Sequence, residues 1–203
     1  MAHYYQTGDI QDIADYVGDS LAWHNGRAKT KADIIVLCGG SLYGRDGERS
    51  SVRIRKCLVP DLNAGCSLAD SCPATEFAEF VKQHPGHTVI SYVNTTAAVK
   101  AVTDVVVTST NARQIVESFP EGTPMIFGPD RNLGNYINSI TGRNMLLWDG
   151  ACHVHEQFSL EKILSLKKQY PNAEVITHPE CKQPVIQVSD FRRIDRGFAE
   201  AYH

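Results

Sequence analysis

The chain has 203 residues, of which 42% are hydrophobic and 21% charged, with a formal net charge of −3. That balance is too apolar for a disordered polymer, and it supplies no global basic field for nucleic acid. No apolar run approaches the roughly 18–20 residues that cross a bilayer, and Met1-Ala2-His3-Tyr4-Tyr5 lacks the basic and apolar regions of a signal peptide. The expectation is a soluble, cytoplasmic protein with no nucleic-acid or membrane partner.

In chain order, short apolar runs closed by polar or glycine residues mark strands at 32–37, 58–59, 88–93, 105–107, 124–127, 145–148 and 174–177. Helical stripes lie between them. Phe77, Phe80 and Val81 form one, Ile115, Val116 and Phe119 a second, and Ile163, Leu164 and Leu166 a third, stopped at Tyr170-Pro171. Strands alternating with helices predict α/β architecture with parallel sheets. Ligands of such sheets gather at the carboxyl ends of strands, so the residues that follow each strand carry most weight.

Those strand ends repeat. Ala2-His3-Tyr4-Tyr5, Ser91-Tyr92-Val93-Asn94 and Thr177-His178-Pro179-Glu180 each open a unit; Tyr92 follows Tyr5 by 87 residues and His178 follows Tyr92 by 86. The stretch from Asp15 to Ser20 is echoed from Thr103 to Ser109, and Val59 to Cys66 is echoed at Leu147 to Cys152, where the cysteines are again 86 residues apart. This period is too long for a solenoid and suits triplicated small domains. The fold expected is a pseudo-threefold repeat of small three-layer α-β-α domains with short parallel sheets. The units run over residues 1–66, 67–152 and 153–203, with the third incomplete. A third cysteine of the series is expected at about position 238, past the end of the given sequence.

Six cysteines lie at positions 38, 57, 66, 72, 152 and 181. Scattered cysteines in a reducing compartment are core thiols, catalytic thiols or metal ligands, and no pair here has the two-residue gap of a zinc ribbon. Cys66 and Cys152 each follow a strand and a glycine and precede a predicted helix, a place where backbone amides favour thiolate over thiol. Thiolates are iron–sulfur ligands. Three from related domains would hold three irons of a cubane and leave the fourth open as a Lewis acid. The plain alternative is two small thiols buried under loops.

The motifs in succession are Ala2-His3-Tyr4-Tyr5-Gln6, Asp9-Ile10-Gln11 with Gly18-Asp19-Ser20-Leu21, Pro60-Asp61-Leu62-Asn63-Ala64-Gly65-Cys66 running on to Pro73, Tyr92-Val93-Asn94-Thr95, Gly128-Pro129-Asp130 with Asn132-Leu133-Gly134, Trp148-Asp149-Gly150-Ala151-Cys152 with His155, and His178-Pro179-Glu180. In these the chain resembles the quinolinate synthase family. The resemblance implies an enzyme of NAD biosynthesis that joins iminoaspartate to dihydroxyacetone phosphate, losing phosphate and two waters. It also implies a 4Fe–4S cluster held by three cysteines, two of them Cys66 and Cys152. Carried over by motif, Tyr5, His178 and Glu180 are catalytic, handling protons. His3, Ser20, Tyr92, Asn94, Ser109 and His155 bind substrate, the serines at phosphate or carboxylate oxygens and Tyr92 with Asn94 at the dicarboxylate. An aspartate oxidase or dehydrogenase is the implied functional partner. Each residue keeps a bland alternative: a structural imidazole for His3 or His178, an aromatic wedge for Tyr92, a helix cap for Ser109.

Two stretches depart from the family. Residues 40–56 hold Arg45, Arg49, Arg53, Arg55 and Lys56 where the family has an apolar helix, and the tail from Arg192 departs in the same way. Single-base insertions reconcile both, so a shifted reading frame is expected; an intact frame on resequencing the locus would exclude it. Two thiolates do not fix a cubane in the family manner, so little or no synthase activity is expected of this polypeptide alone. The alternative function is that of an inactive fragment or pseudoenzyme retaining at most dicarboxylate binding.

Overall fold

The computed structural model of the chain describes residues 1–39 and 56–192. Nearly all of the arginine-rich segment, and the tail beyond Arg192, lie outside the described residues.

Every strand pairing among the described residues is parallel. Near the start, β1 (Ala2–His3) pairs with β2 (Val17–Gly18), and β3 (Ile34–Val36) pairs with β4 (Lys56–Leu58). A bridge from Ala2 to Cys38 joins the two pairs, with the Cys38 amide donating to the Met1 carbonyl at 2.9 Å. The central sheet has four strands, β5 (Thr88–Tyr92), β6 (Val105–Val107), β7 (Met125–Gly128) and β8 (Leu146–Leu147), in the order β6-β5-β7-β8. Last, β9 (Ile176–Thr177) pairs with β10 (Phe191–Arg192).

The central sheet reads as a near-continuous apolar run in β5 and β7 because helices cover both faces. On one side, Phe77 of the helix Ala74–Lys82 and Val99 of the helix Ala97–Lys100 pack with Val89, Ile126 and Cys72. On the other, Leu68, Val116, Leu133 and Ile137 pack with Ile90, Tyr92, Val107 and Phe127. This is a three-layer α-β-α arrangement. Each fully buried large side chain of this kind contributes roughly 1.5–3 kcal/mol.

The helix Arg131–Thr141 begins with Asp130 as its cap and ends at Gly142, whose φ of 67° needs no Cβ. No stripe in the sequence reading marks this helix. Its apolar residues Leu133, Ile137 and Ile140 are diluted by Asn, Ser and an interior glycine. That glycine has a packing reason: a Cβ on Gly134 would lie 2.6 Å from Leu147 Cδ2, so helix and strand approach too closely for a side chain.

Two local arrangements recur at the 86-residue offset. Asp104 Oδ2 accepts the Val89 amide at 2.8 Å, and Asp190 Oδ2 accepts the Val175 amide at 2.8 Å. The Ser91 and Thr103 hydroxyls lie 2.7 Å apart, and those of Thr177 and Ser189 lie 3.0 Å apart. Among the described residues, no helix is long and apolar enough to cross a membrane.

Candidate active site

Loops at strand carboxyl ends carry the side chains singled out from the sequence. Cys66 stands before the one-turn helix Ser67–Asp70, and Cys152 before the one-turn helix His153–Glu156. Tyr92 ends β5, while His178 and Glu180 follow β9. His155 Nδ1 lies 3.2 Å from Glu180 Oε2, and His178 Nδ1 lies 3.7 Å from Glu180 Oε1. The two imidazoles stack with centroids 5.1 Å apart, and the Tyr92 hydroxyl donates to Glu180. One ligand atom each from Cys152, His155 and Glu180 falls within 4.8 Å of the others. The Cys66 thiol sits close enough to Cys152 and Glu180 to feel both charges.

Glu180 is 3% exposed, and burial by itself would push its carboxyl up. The hydrogen bond from His155, the charge of His178 and the Tyr92 hydroxyl outweigh burial and hold its pKa below the usual carboxylate value. For His155, burial pulls downward, but its bonds to Cys152 and Glu180 win and push it up to about 10. Imidazolium and carboxylate therefore form a buried neutral pair at physiological pH.

Cys66 departs from the sequence expectation. The Leu68 and Ala69 amides do reach its sulfur, as a helix N-terminus should, yet burial is the larger effect and raises the thiol pKa; the neighbouring Cys152 and Glu180 add to the rise. A helix of four residues aligns too few peptide dipoles to offset desolvation. A cation between the sulfurs would reverse that balance.

Asp130 braces the site. It is 0% exposed, and its Oδ1 accepts the Leu133 amide at 2.7 Å while its Oδ2 accepts the Cys152 amide at 3.1 Å. Burial and the Glu180 charge raise its pKa to about 7, against the opposing pull of the two amides and His155. Asn132 Nδ2 donates to Glu156 Oε1 and to the Glu180 carbonyl, each at 3.0 Å, tying the His155 helix to the Glu180 loop. A Cβ on Gly150 would lie 2.6 Å from both the Pro129 carbonyl and Ser71 Oγ, so the strand leading to Cys152 runs where only glycine fits. The sequence reading quoted Asp130 and Asn132 among its motifs but gave neither a role. The available signal was an Asp directly before a run of helical spacing.

The remaining candidates form two further groups. His3 and Tyr5 stack at 4.5 Å, with Trp23 edge-on to His3 at 5.3 Å. His3 is buried, whereas Tyr5 is 65% exposed. The Tyr5 amide approaches His3 Nδ1 at 3.4 Å, as the Glu180 amide approaches His178 Nδ1 at 3.3 Å, so the two histidines share one local geometry. Ser20 opens the helix Ser20–Lys29 behind its cap Asp19, and Ser109 is buried after β6. The Thr110 hydroxyl donates to Asp19 Oδ2 at 2.9 Å, a bond that draws the Ser20 and Ser109 loops together. Asn94 is half-buried just past β5.

Known proteins match this sequence. The family model described as quinolinate synthetase A protein matches residues 1–200. A curated quinolinate synthase of Synechocystis sp. is 52% identical over 191 residues, covering 94% of this chain and 60% of the relative. Those of Trichormus variabilis and Thermosynechococcus vestitus are each 51% identical over 191 residues, again 94% of this chain and 59% and 60% of the relatives. The chain thus spans about 60% of the length of the curated relatives it matches. With a match along nearly its whole length, and with the resembling motifs gathered at strand ends, the chain belongs to the quinolinate synthetase A family.

Proposed function

We propose that this chain provides the first two units, and part of a third, of a quinolinate synthase that condenses iminoaspartate with dihydroxyacetone phosphate. The carrying observation is that Cys66 and Cys152, 86 residues apart in sequence, converge on one buried group with Tyr92, His155, His178 and Glu180. The aspartate–amide and hydroxyl pairs that recur at the same offset support the division at 1–66, 67–152 and 153–203.

The donor set of Cys66 and Cys152 fits a 4Fe–4S cluster as two of its thiolate ligands, with two half-buried thiols close enough to repel as thiolates and a charge balance that improves when a cation enters. When bound, the cluster supplies a Lewis acid for substrate oxygens. This chain's own residues do the rest. The His155–Glu180 pair and His178 hold and move protons during the dehydrations, with Tyr92 fixing the Glu180 carboxylate. Tyr92 and Asn94 bind the dicarboxylate. Ser20 and Ser109, drawn together by the Asp19–Thr110 bond, bind phosphate or carboxylate oxygens. Exposed Tyr5, backed by His3, meets the triose-derived part. Iminoaspartate comes from an aspartate oxidase or dehydrogenase, and the reaction is cytoplasmic.

The 203-residue polypeptide supplies two such thiolates, and alone it is expected to give little turnover. The test is a chimaera in which residues 57–192 replace the matching stretch of the Synechocystis relative, reconstituted anaerobically with iron and sulfide. Quinolinate formation is expected from the chimaera. An inactive chimaera that binds its cluster fully would overturn the assignment of the site residues.

A further inference from the structure

We propose that Cys152, His155 and Glu180 form a site for a single divalent ion of the zinc class, an alternative to the cluster that draws all three protein ligands from the described residues. The ligand atoms already lie within 4.8 Å of one another, with His155 Nδ1 and Glu180 Oε2 at 3.2 Å. Zinc takes thiolate sulfur at about 2.3 Å, imidazole nitrogen at about 2.0–2.1 Å and carboxylate oxygen at about 2.0–2.2 Å, so small side-chain rotations close the shell. One thiolate, one imidazole and one carboxylate are a borderline donor set that suits zinc or cobalt better than magnesium or calcium. Three protein ligands leave a fourth position for water or a small molecule.

The outer contacts are those of a built site. Asp130 holds the Cys152 amide at 3.1 Å, and Asn132 holds the Glu180 carbonyl at 3.0 Å. The Tyr92 hydroxyl bonds the Glu180 carboxylate, and His178 flanks Oε1 at 3.7 Å. Such partners fix ligand orientation before the ion arrives. Cys152 and His155 are at the cap and third position of one helical turn, spaced so that both side chains lie on one side. Cys66 stays outside this shell because, among the described residues, the ligand atoms that come within 4.8 Å of one another belong to Cys152, His155 and Glu180. Because Cys152 also serves the cluster in the proposed function, the ion and the cluster exclude each other.

Cobalt(II) is the probe, titrated into the full 203-residue chain purified free of iron under anaerobic, reducing conditions. One ion per chain is expected, with a near-ultraviolet sulfur-to-cobalt charge-transfer band, intense visible bands of a tetrahedral centre, and displacement by zinc. Cys152→Ser should abolish the charge-transfer band. His155→Asn and Glu180→Gln should each weaken binding by more than the roughly 10–100-fold that an outer contact costs. Cys66→Ser should leave the cobalt spectrum unchanged while eliminating cluster formation in the chimaera, so this site and the cluster reading fail separately. Circular dichroism reports whether each variant folds. If Cys152→Ser does not fold, X-ray absorption at the zinc edge of the unsubstituted chain must show one sulfur among nitrogen and oxygen donors. No bound cobalt, cobalt without sulfur, or loss of the band on Cys66→Ser would overturn the proposal.

Discussion

Asp130→Ala is expected to destabilise the chain by about 2–4 kcal/mol in urea unfolding near neutral pH. Two losses add up. The helix Arg131–Thr141 loses its cap, worth about 1 kcal/mol, and the Cys152 amide loses its acceptor in a half-buried loop, at a further roughly 1–3 kcal/mol. Asp130→Asn keeps an acceptor oxygen and should cost much less, since it also removes a buried charge that faces Glu180. The pH dependence separates the two effects. The folded-state pKa of Asp130 is raised to about 7 from an ordinary value of 3.8, so the folded chain keeps a proton that the unfolded chain gives up between these values. Stability from this group is full below the unfolded pKa and is lost as pH rises through the folded one. In the unsubstituted chain, stability should therefore fall from about pH 4 to about pH 7 relative to Asp130→Asn. A pH profile identical in the two proteins would show that Asp130 is not the group responsible.

Strand and helix periodicity made the central sheet legible. The runs at 88–93, 105–107 and 124–127 correspond closely to β5, β6 and β7, because parallel strands buried on both faces are written as unbroken apolar runs. The outer strands were less legible. The run at 145–148 shortens to Leu146–Leu147, and that at 174–177 to Ile176–Thr177, since edge pairings of two residues leave little periodic trace. The two-residue strand at Val17–Gly18 is too short for a period, whereas the helix Arg131–Thr141 places Leu133, Ile137 and Ile140 at helical spacing and was passed over because polar residues separate them.

For the site, the motifs nominated the side chains, and the structure sorts them into groups. Cys152, His155, Tyr92, His178 and Glu180 do gather, while His3 with Tyr5, and Ser20 with Ser109, make their own groups. What spacing could not convey is electrostatic. A helix start after Cys66 promised a stabilised thiolate, but the helix is one turn long and the sulfur is buried, so desolvation prevails. Nor could spacing reveal that Asp130 bonds two amides from different elements, because one of them, on Cys152, lies 22 residues away.

The second large effect concerns the cysteines. Cys72 and Cys181 are buried among apolar side chains, and burial is the main reason their thiol pKa values rise to about 12 and about 11. Such thiols are poor ligands as they stand. Cys57 packs against Trp23, Ile35 and Leu37 beside the first sheet, away from the group around Glu180. Cys66 and Cys152 combine partial exposure with a place beside His155 and Glu180. Loss of either should remove the cluster and reduce turnover to background, whereas serine at the other positions should cost stability alone. The most direct measurement is iron and sulfide content, with quinolinate turnover, for the chimaera carrying Cys57→Ser, Cys66→Ser, Cys72→Ser, Cys152→Ser and Cys181→Ser one at a time. The expected result is loss of cluster and activity in Cys66→Ser and Cys152→Ser only; a chimaera that keeps its cluster without Cys66 or Cys152, or loses it with Cys72 or Cys181 while still folded, would contradict the assignment.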